Sequence, residues 1–251
     1  MKIDVLTLFP EFFTNINNWS IIGRAIEKKI MDISYTNIRD FSNNKHRKVD
    51  DYPYGGGGGM IMTPQPIYDA IKSVETEESK IIYLSPQGRK LNQNIINDLS
   101  KESHLVFLCG HYEGIDNRVI ENYIDEEISI GDYVLTGGEI PAMVIIDAVT
   151  RLLPGVLSNE DAYREDSHYY GLLEHPQYTR PRDFNGLIVP DILLSGNHNL
   201  IEEWKDQESL KTTLKKRPDL LENIKLKKTH QDWISRFKEE TNSWTGWNPM
   251  L

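Results

Sequence analysis

Two glycine turns, each placed directly after an apolar run, are the part of this chain best suited to build a small-molecule site. The stretch from His104 to Pro141 reads HLVFLCGHYEGIDNRVIENYIDEEISIGDYVLTGGEIP. Leu105 to Cys109 reads as a buried strand, with Gly110 and Gly114 forming its turn and an acidic helical segment beyond. A second strand ends at Ser129 and Ile130, and a second turn, Gly131 to Gly138, opens a long apolar helix. Glycines at strand ends leave backbone N–H and C=O groups uncovered, so this stretch is expected to floor a ligand site. A third strand end, Ser85-Pro86-Gln87-Gly88, also carries glycine. None of the three fits G-x-G-x-x-G, and Gly-Lys occurs nowhere in the chain. Neither a dinucleotide fingerprint nor a Walker A loop is therefore supported.

Other reactive residue types carry two readings each. Asp147 and Arg151 stand at i, i+4 on a helix expected over Glu139 to Leu153, which is apolar nearly all round. Such a helix is buried in a core or against another subunit. An exposed pair of this kind contributes only a few tenths of a kcal/mol, whereas an arginine on a buried helix needs a stronger reason, such as facing a site. Cys109 is the single cysteine, which excludes an intramolecular disulfide and a cysteine-based zinc cluster. At the end of an apolar run it reads as an inert buried thiol rather than a nucleophile. Gly55 to Gly59 form either a flexible tether or a loop whose backbone approaches a ligand or another backbone closely. Flanking aromatics and the following Met60-Ile61-Met62 favour close approach.

The elements that must position these residues alternate. Strands are expected over Lys2 to Leu8, Ile33 to Ile38, Lys80 to Leu84 and from Leu105, with helices over Trp19 to Ile30, Pro64 to Val74 and Asn92 to Ser100. The polar stretch FSNNKHRKVDDYPYGGGGGMIM shows no hydrophobic period. Alternation of this kind implies an α/β domain with a largely parallel sheet, whose ligands sit beyond the carboxyl ends of the strands. Leu157 to Tyr170 is acidic and aperiodic and reads as a linker, and HPQYTRPRDF reads as extended or turned. Helical patterns over His198 to Lys216, Pro218 to Leu226 and Thr229 to Glu240 suggest a small helical second domain. The domain reading is thus 1–158, a linker over 159–174, and 175–251.

The chain has 251 residues and a net charge of −10, which argues weakly against a large nucleic-acid surface. The charge is uneven, because Lys205 to Lys238 holds ten basic residues against five acidic ones. No apolar run reaches the roughly 20 residues of a membrane span, and the N-terminus lacks a secretory h-region. The expected location is the cytoplasm.

The motifs SPQGRKL, CGHYEGIDNR, SIGDYVLTGGE, DDYPYGGGGGM, EDSH and LLSGNH, with their order and spacing, resemble bacterial tRNA (guanine-N(1))-methyltransferase of the SPOUT class. The resemblance runs from Leu6-Phe9-Pro10 to Arg217-Pro218-Asp219-Leu220-Leu221. It implies a SPOUT-type parallel sheet with a deep trefoil knot, S-adenosyl-L-methionine as methyl donor, and a homodimer whose active site lies between subunits. Cofactor contacts would fall at Tyr83, Leu84, Ser85, Pro86, Gly110, Tyr112, Gly114, Ser129, Ile130, Gly131, Tyr133, Leu135, Gly137, Gly138 and Pro141.

By the same resemblance Asp166 matches the general base for the guanine N(1) proton, and Arg151 the cation at the guanine oxygen. Glu113 matches a residue engaging substrate or metal, with Mg2+ as the metal in view and its ligands unassigned. The target would be guanine 37 of tRNA, just 3′ of the anticodon. The anticodon stem-loop would be held by the basic C-terminal helices, with Lys215, Lys216 and Arg217 as phosphate contacts. From the residues alone Asp166 is one more solvated acid, and the lysines are one solvated helix face. Two departures stand out: His111, where some members carry arginine, and His168-Tyr169-Tyr170 after Ser167. Other readings are a non-catalytic RNA-binding α/β protein with a vestigial pocket, and a phosphate-handling enzyme, which the absent P-loop lysine weakens.

Overall fold

A computed structural model describes residues 1–157 and 166–242, in two compact units, Met1–Glu160 and Asp161–Leu251. Residues 158–165, which include the first part of the expected linker, and 243–251 lie outside the described residues.

The first unit holds strands β1 (Lys2–Thr7), β2 (Asp32–Asn37), β3 (Asp50–Asp51), β4 (Ile61–Met62), β5 (Ser79–Lys90), β6 (His104–Cys109) and β7 (Glu126–Ser129). Its helices are α1 (Ser20–Glu27), α2 (Pro64–Val74), α3 (Gln93–Leu99), α4 (Asn117–Tyr123) and α5 (Glu139–Thr150). Five strands form one parallel sheet in the order β2-β1-β6-β5-β7. All six residues of β6 are buried, as expected of a central strand covered on both faces. Alternate residues of β6 point to two separate cores. Leu105, Phe107 and Cys109 pack with α1, α3 and α5, while Val106 and Leu108 pack with α2 and α4. Local signals start the helices. Pro64 opens α2, Asn92 Oδ1 accepts from Ile95 N–H at 3.1 Å, and Asp116 Oδ1 accepts from Arg118 N–H at 3.0 Å.

Three expectations change. β5 does not end at Leu84. It pairs Ile82 to Leu84 with Glu126 to Ile128, pushes out Ser85 to Gly88, and returns so that Arg89 and Lys90 pair with Ile128 and Ser129. The aperiodic stretch before α2 contains the antiparallel pair β3–β4, whose two-residue strands are too short to show a period. Arg151 lies just past α5 and is exposed, because the helix ends at Thr150 rather than Leu153. Exposure removes the need for a buried partner. Of the five consecutive glycines, only Gly59 closely approaches another part of the chain, where a Cβ would lie 2.4 Å from the Glu113 side chain. Gly55, Gly56 and Gly57 stand in open space but at φ of 87°, 78° and 127°, which demand glycine for conformational reasons.

The second unit contains a hairpin of β8 (Asp183–Phe184) and β9 (Leu187–Ile188), then α6 (His198–Lys216) and α7 (Lys228–Asn242). The helix expected over Pro218 to Leu226 is a 3-10 helix over Pro218–Asn223. Residues 166–174 are turned and hydrogen-bonded onto α6. Among the described residues, no helix is long and apolar enough to cross a membrane.

Candidate active site

The carboxyl ends of β5, β6 and β7 converge on one cavity of about 220 Å³. The sheet order dictates this, since β5 lies between β6 and β7 and all three run in the same direction. Its walls are the loop pushed out of β5, the turn after β6, and the segment from Ile128 to Pro141. Every cofactor position expected from the resemblance lines it except Gly138, and Glu113 lines it too. Gly138 sits behind the wall, where a Cβ would be 2.7 Å from Cys109 Cα. Arg151, Asp166, Lys215, Lys216 and Arg217 are not among the lining residues. Asp166 and the three basic residues belong to the second unit. Arg217 forms a two-point pair with Asp219, at 2.8 and 2.6 Å.

Backbone approach shapes the cavity. At Gly110 a Cβ would meet the Tyr83 ring at 2.9 Å, and at Gly131, with φ 154°, the Tyr133 ring at 2.5 Å. Ser129 Oγ accepts from Gly131 N–H at 3.2 Å and donates to its carbonyl at 3.0 Å. Tyr112 takes a φ of 59°, and its hydroxyl accepts from Arg39 at 3.4 Å. The turn after β6 is held from outside the sheet. Met62 N–H donates to Gly114 C=O at 2.9 Å, and Glu113 N–H donates to Met60 C=O at 3.0 Å. The β3–β4 pair and its glycine loop are thereby fastened to the cavity rim.

Gln87, His111, Val134 and Thr136 also line the cavity, and the sequence reading did not assign them to it. Each lies inside a quoted motif, which was the available signal. His111 belongs to a buried polar cluster that the sequence did not reveal. Its Nε2 lies 2.9 Å from Glu139 Oε2, while Thr7 Oγ1 donates to Glu139 Oε1 at 2.6 Å and accepts from Phe9 N–H at 2.9 Å. Gly138 N–H donates to Gly110 C=O at 3.1 Å beside it. The cluster joins the ends of β1 and β6 to the first turn of α5, where the helix dipole favours a carboxylate. Removing Glu139 strands two polar partners. Glu139→Ala is expected to lower unfolding stability by about 1–3 kcal/mol, read from the urea midpoint, and a midpoint equal to wild type would dismiss the cluster as a tie.

The site's titrating groups are shifted by burial. The Tyr83 hydroxyl is pushed up to about 12 by burial, with the Glu127 carboxylate adding to it. The Cys109 thiol is raised by burial and then by Glu139, so it stays protonated and inert near neutrality. Burial also lifts the Glu127 carboxyl above its ordinary value, and a hydrogen bond with Ser85 pulls partly back. A carboxyl raised in the folded state supports folding below its unfolded value and loses that contribution as pH rises through the folded value. Glu127→Gln is therefore expected to have the higher Tm at pH 7, with the gap closing as pH falls below the ordinary glutamate range. Thermal scans across pH 3 to 8 check this, and a gap constant with pH would refute it. Among the described residues, no group of three or more His, Cys, Asp or Glu side chains could hold a metal ion.

The family model for tRNA (guanine-1)-methyltransferase TrmD matches residues 1–223. The chain belongs to this family. A tRNA (guanine-N(1)-)-methyltransferase of Ruminiclostridium cellulolyticum is 58% identical over 227 residues, covering 89% of this chain and 97% of that protein. One from Alkaliphilus metalliredigens is 55% identical over 245 residues, covering 96% and 99%. One from Anoxybacillus flavithermus is 55% identical over 242 residues, covering 95% and 99%. The match to the TrmD family model spans the whole first unit and most of the described second unit, so it takes in both the cavity and α6.

Proposed function

We propose that this protein methylates N(1) of guanine 37 in tRNA, just 3′ of the anticodon, with S-adenosyl-L-methionine as donor, as a cytoplasmic homodimer. The observation that carries the reading is the cavity at the carboxyl ends of β5, β6 and β7, in a chain of the TrmD family. Its residues fit the donor. Leu84, Ile130, Leu135 and Pro141 offer apolar surface for a purine, and Gly110, Gly131 and Gly137 leave backbone at the wall for its polar edges. When bound, the donor supplies a methyl group on a sulfonium and departs as a neutral thioether.

The chain's own residues handle the guanine. Asp166 accepts the N(1) proton, so that the ring nitrogen's electron pair is available to the methyl group. The Arg151 guanidinium takes up negative charge developing at the exocyclic oxygen. Glu113, on the cavity rim, orients the base. Lys215, Lys216 and Arg217 hold the anticodon stem-loop by its phosphates. Mg2+ has no assigned ligands here. The dimer reading draws on Ile140 and Val144, two apolar residues of α5 that are 47% and 42% exposed. The knot reading draws on the close contact of the two glycine turns, with Gly138 N–H on Gly110 C=O.

Methyl transfer from labelled donor to tRNA transcripts differing only at nucleotide 37 tests the reading. Label is expected on the guanosine transcript alone. Equal labelling of an adenosine transcript, or none of either, would overturn it.

A further inference from the structure

The residues around Asp166 form a closed turn fastened to α6. Tyr169 N–H donates to Asp166 C=O at 3.3 Å, His168 N–H to Leu172 C=O at 2.7 Å, and Glu174 N–H to Ser167 Oγ at 3.0 Å. Leu173 makes the fastening with both of its backbone groups. Its N–H donates to Thr213 Oγ1 at 2.9 Å, and its C=O accepts from Ser209 Oγ. The two side chains lie one helical turn apart on α6 and so share a face. Thr213 is fully buried, and its hydroxyl donates to Ser209 C=O at 2.8 Å. Gly171, at φ 87°, also comes close to Ile224, beyond the end of α6, where a Cβ on Gly171 would lie 2.4 Å from Ile224 Cγ2.

A threonine is poorly suited to a helix interior, where its branched side chain loses freedom. Here its hydroxyl gives Leu173 N–H a partner in a buried setting, where an unmade hydrogen bond is costly. Two residues after Thr213, α6 reaches Lys215 and Lys216, and Arg217 follows as its cap. The clamp and the cationic helix end therefore sit on the same helix, less than two turns apart.

We propose that Thr213 and Ser209 are positioning residues for the methyl transfer. They lock the turn bearing Asp166 to α6, so that tRNA held at the end of α6 and the base move as one body. The proposal rests on Asp166 being the base, as argued above. A hydroxyl clamp of this kind serves the chemical step rather than binding, because phosphate contacts at Lys215 and Lys216 do not pass through Leu173. Misplacing a reacting group by about 1 Å costs about a hundredfold in rate.

The test uses the full-length protein and a tRNA transcript with guanosine 3′ of the anticodon, measuring kcat, KM and tRNA affinity by filter binding. Thr213→Val keeps the shape and removes the acceptor. It is expected to lower kcat about tenfold to a hundredfold, with tRNA Kd within about twofold of wild type. Thr213→Ser is expected to restore kcat. Ser209→Ala should lower kcat less, again without weakening tRNA binding, and it decides the matter if Thr213→Val does not fold. A wild-type kcat in Thr213→Val overturns the proposal, and so does a parallel loss of kcat and tRNA affinity, which marks a merely structural helix defect. Asp166→Ala run alongside separates the two failures. If Asp166→Ala is inactive while Thr213→Val is fully active, only the clamp falls; if Asp166→Ala is active, the base assignment falls and the clamp with it.

Discussion

Asp166→Ala is expected to lower methyl-transfer turnover about 10²- to 10⁴-fold, while affinity for S-adenosyl-L-methionine stays within about twofold. The split follows from where the residue sits. Every residue lining the cavity lies between Tyr83 and Pro141, whereas Asp166 belongs to the second unit. Removing its carboxylate takes away a proton acceptor and leaves the cavity walls as they were. Titration calorimetry with the donor and single-turnover methyl transfer measure the two halves independently. Turnover within threefold of wild type would remove Asp166 as base, and a matching loss of donor affinity would mean that it shapes the cavity instead. If the site is built across a dimer, Asp166→Ala and Arg151→Ala subunits mixed into verified heterodimers should recover activity that neither homodimer has.

The sequence exposes the parts of this site that depend on local pattern and hides those that depend on strand order. Leu105 to Cys109 is legible because a strand covered on both faces must be apolar at every position. The glycine turns that end β6 and β7 are legible because few other residues tolerate such backbone positions. Thr7, His111 and Glu139 are not legible as a cluster. They meet only because β1 lies beside β6 and α5 starts next to both, and no periodicity reports which strands are neighbours. The return of β5 was hidden for a related reason. Ser85-Pro86-Gln87-Gly88 looks like a strand-ending turn, and only the pairing of Ile128 with both Leu84 and Arg89 shows the strand resuming. The end of α5 is hidden because apolar residues continue to Leu153, beyond the last helical residue, Thr150. The proposal of Asp166 as base rests on the family resemblance, because residue chemistry alone favours a solvated acid.

That return of β5 makes Gly88→Ala the most damaging small substitution expected in the first unit. A Cβ at Gly88 would lie 2.4 Å from both Glu127 C and Ile128 N, and 2.6 Å from Glu127 O. All three are backbone atoms of β7, so no side chain can rotate aside and relieve the contact. Either β5 fails to return to β7, or the two strands part. Overpacking a tight site costs about 1–3 kcal/mol and occasionally more, and a backbone obstacle places this case at the upper end. The damage should also reach the cavity, because Ser85, Pro86 and Gln87 form one of its walls and are held in place by the pairing on either side. Gly88→Ala is therefore expected to lose donor affinity as well as stability, the reverse of the split expected for Asp166→Ala. Gly56→Ala is the control. Its Cβ meets nothing within 4 Å, but its φ of 78° strains an alanine, at a cost of about 1 kcal/mol. Urea unfolding of both variants checks the contrast. Equal and small losses would mean that β5 and β7 yield easily at Gly88, and that the wall of the cavity does not depend on their close approach.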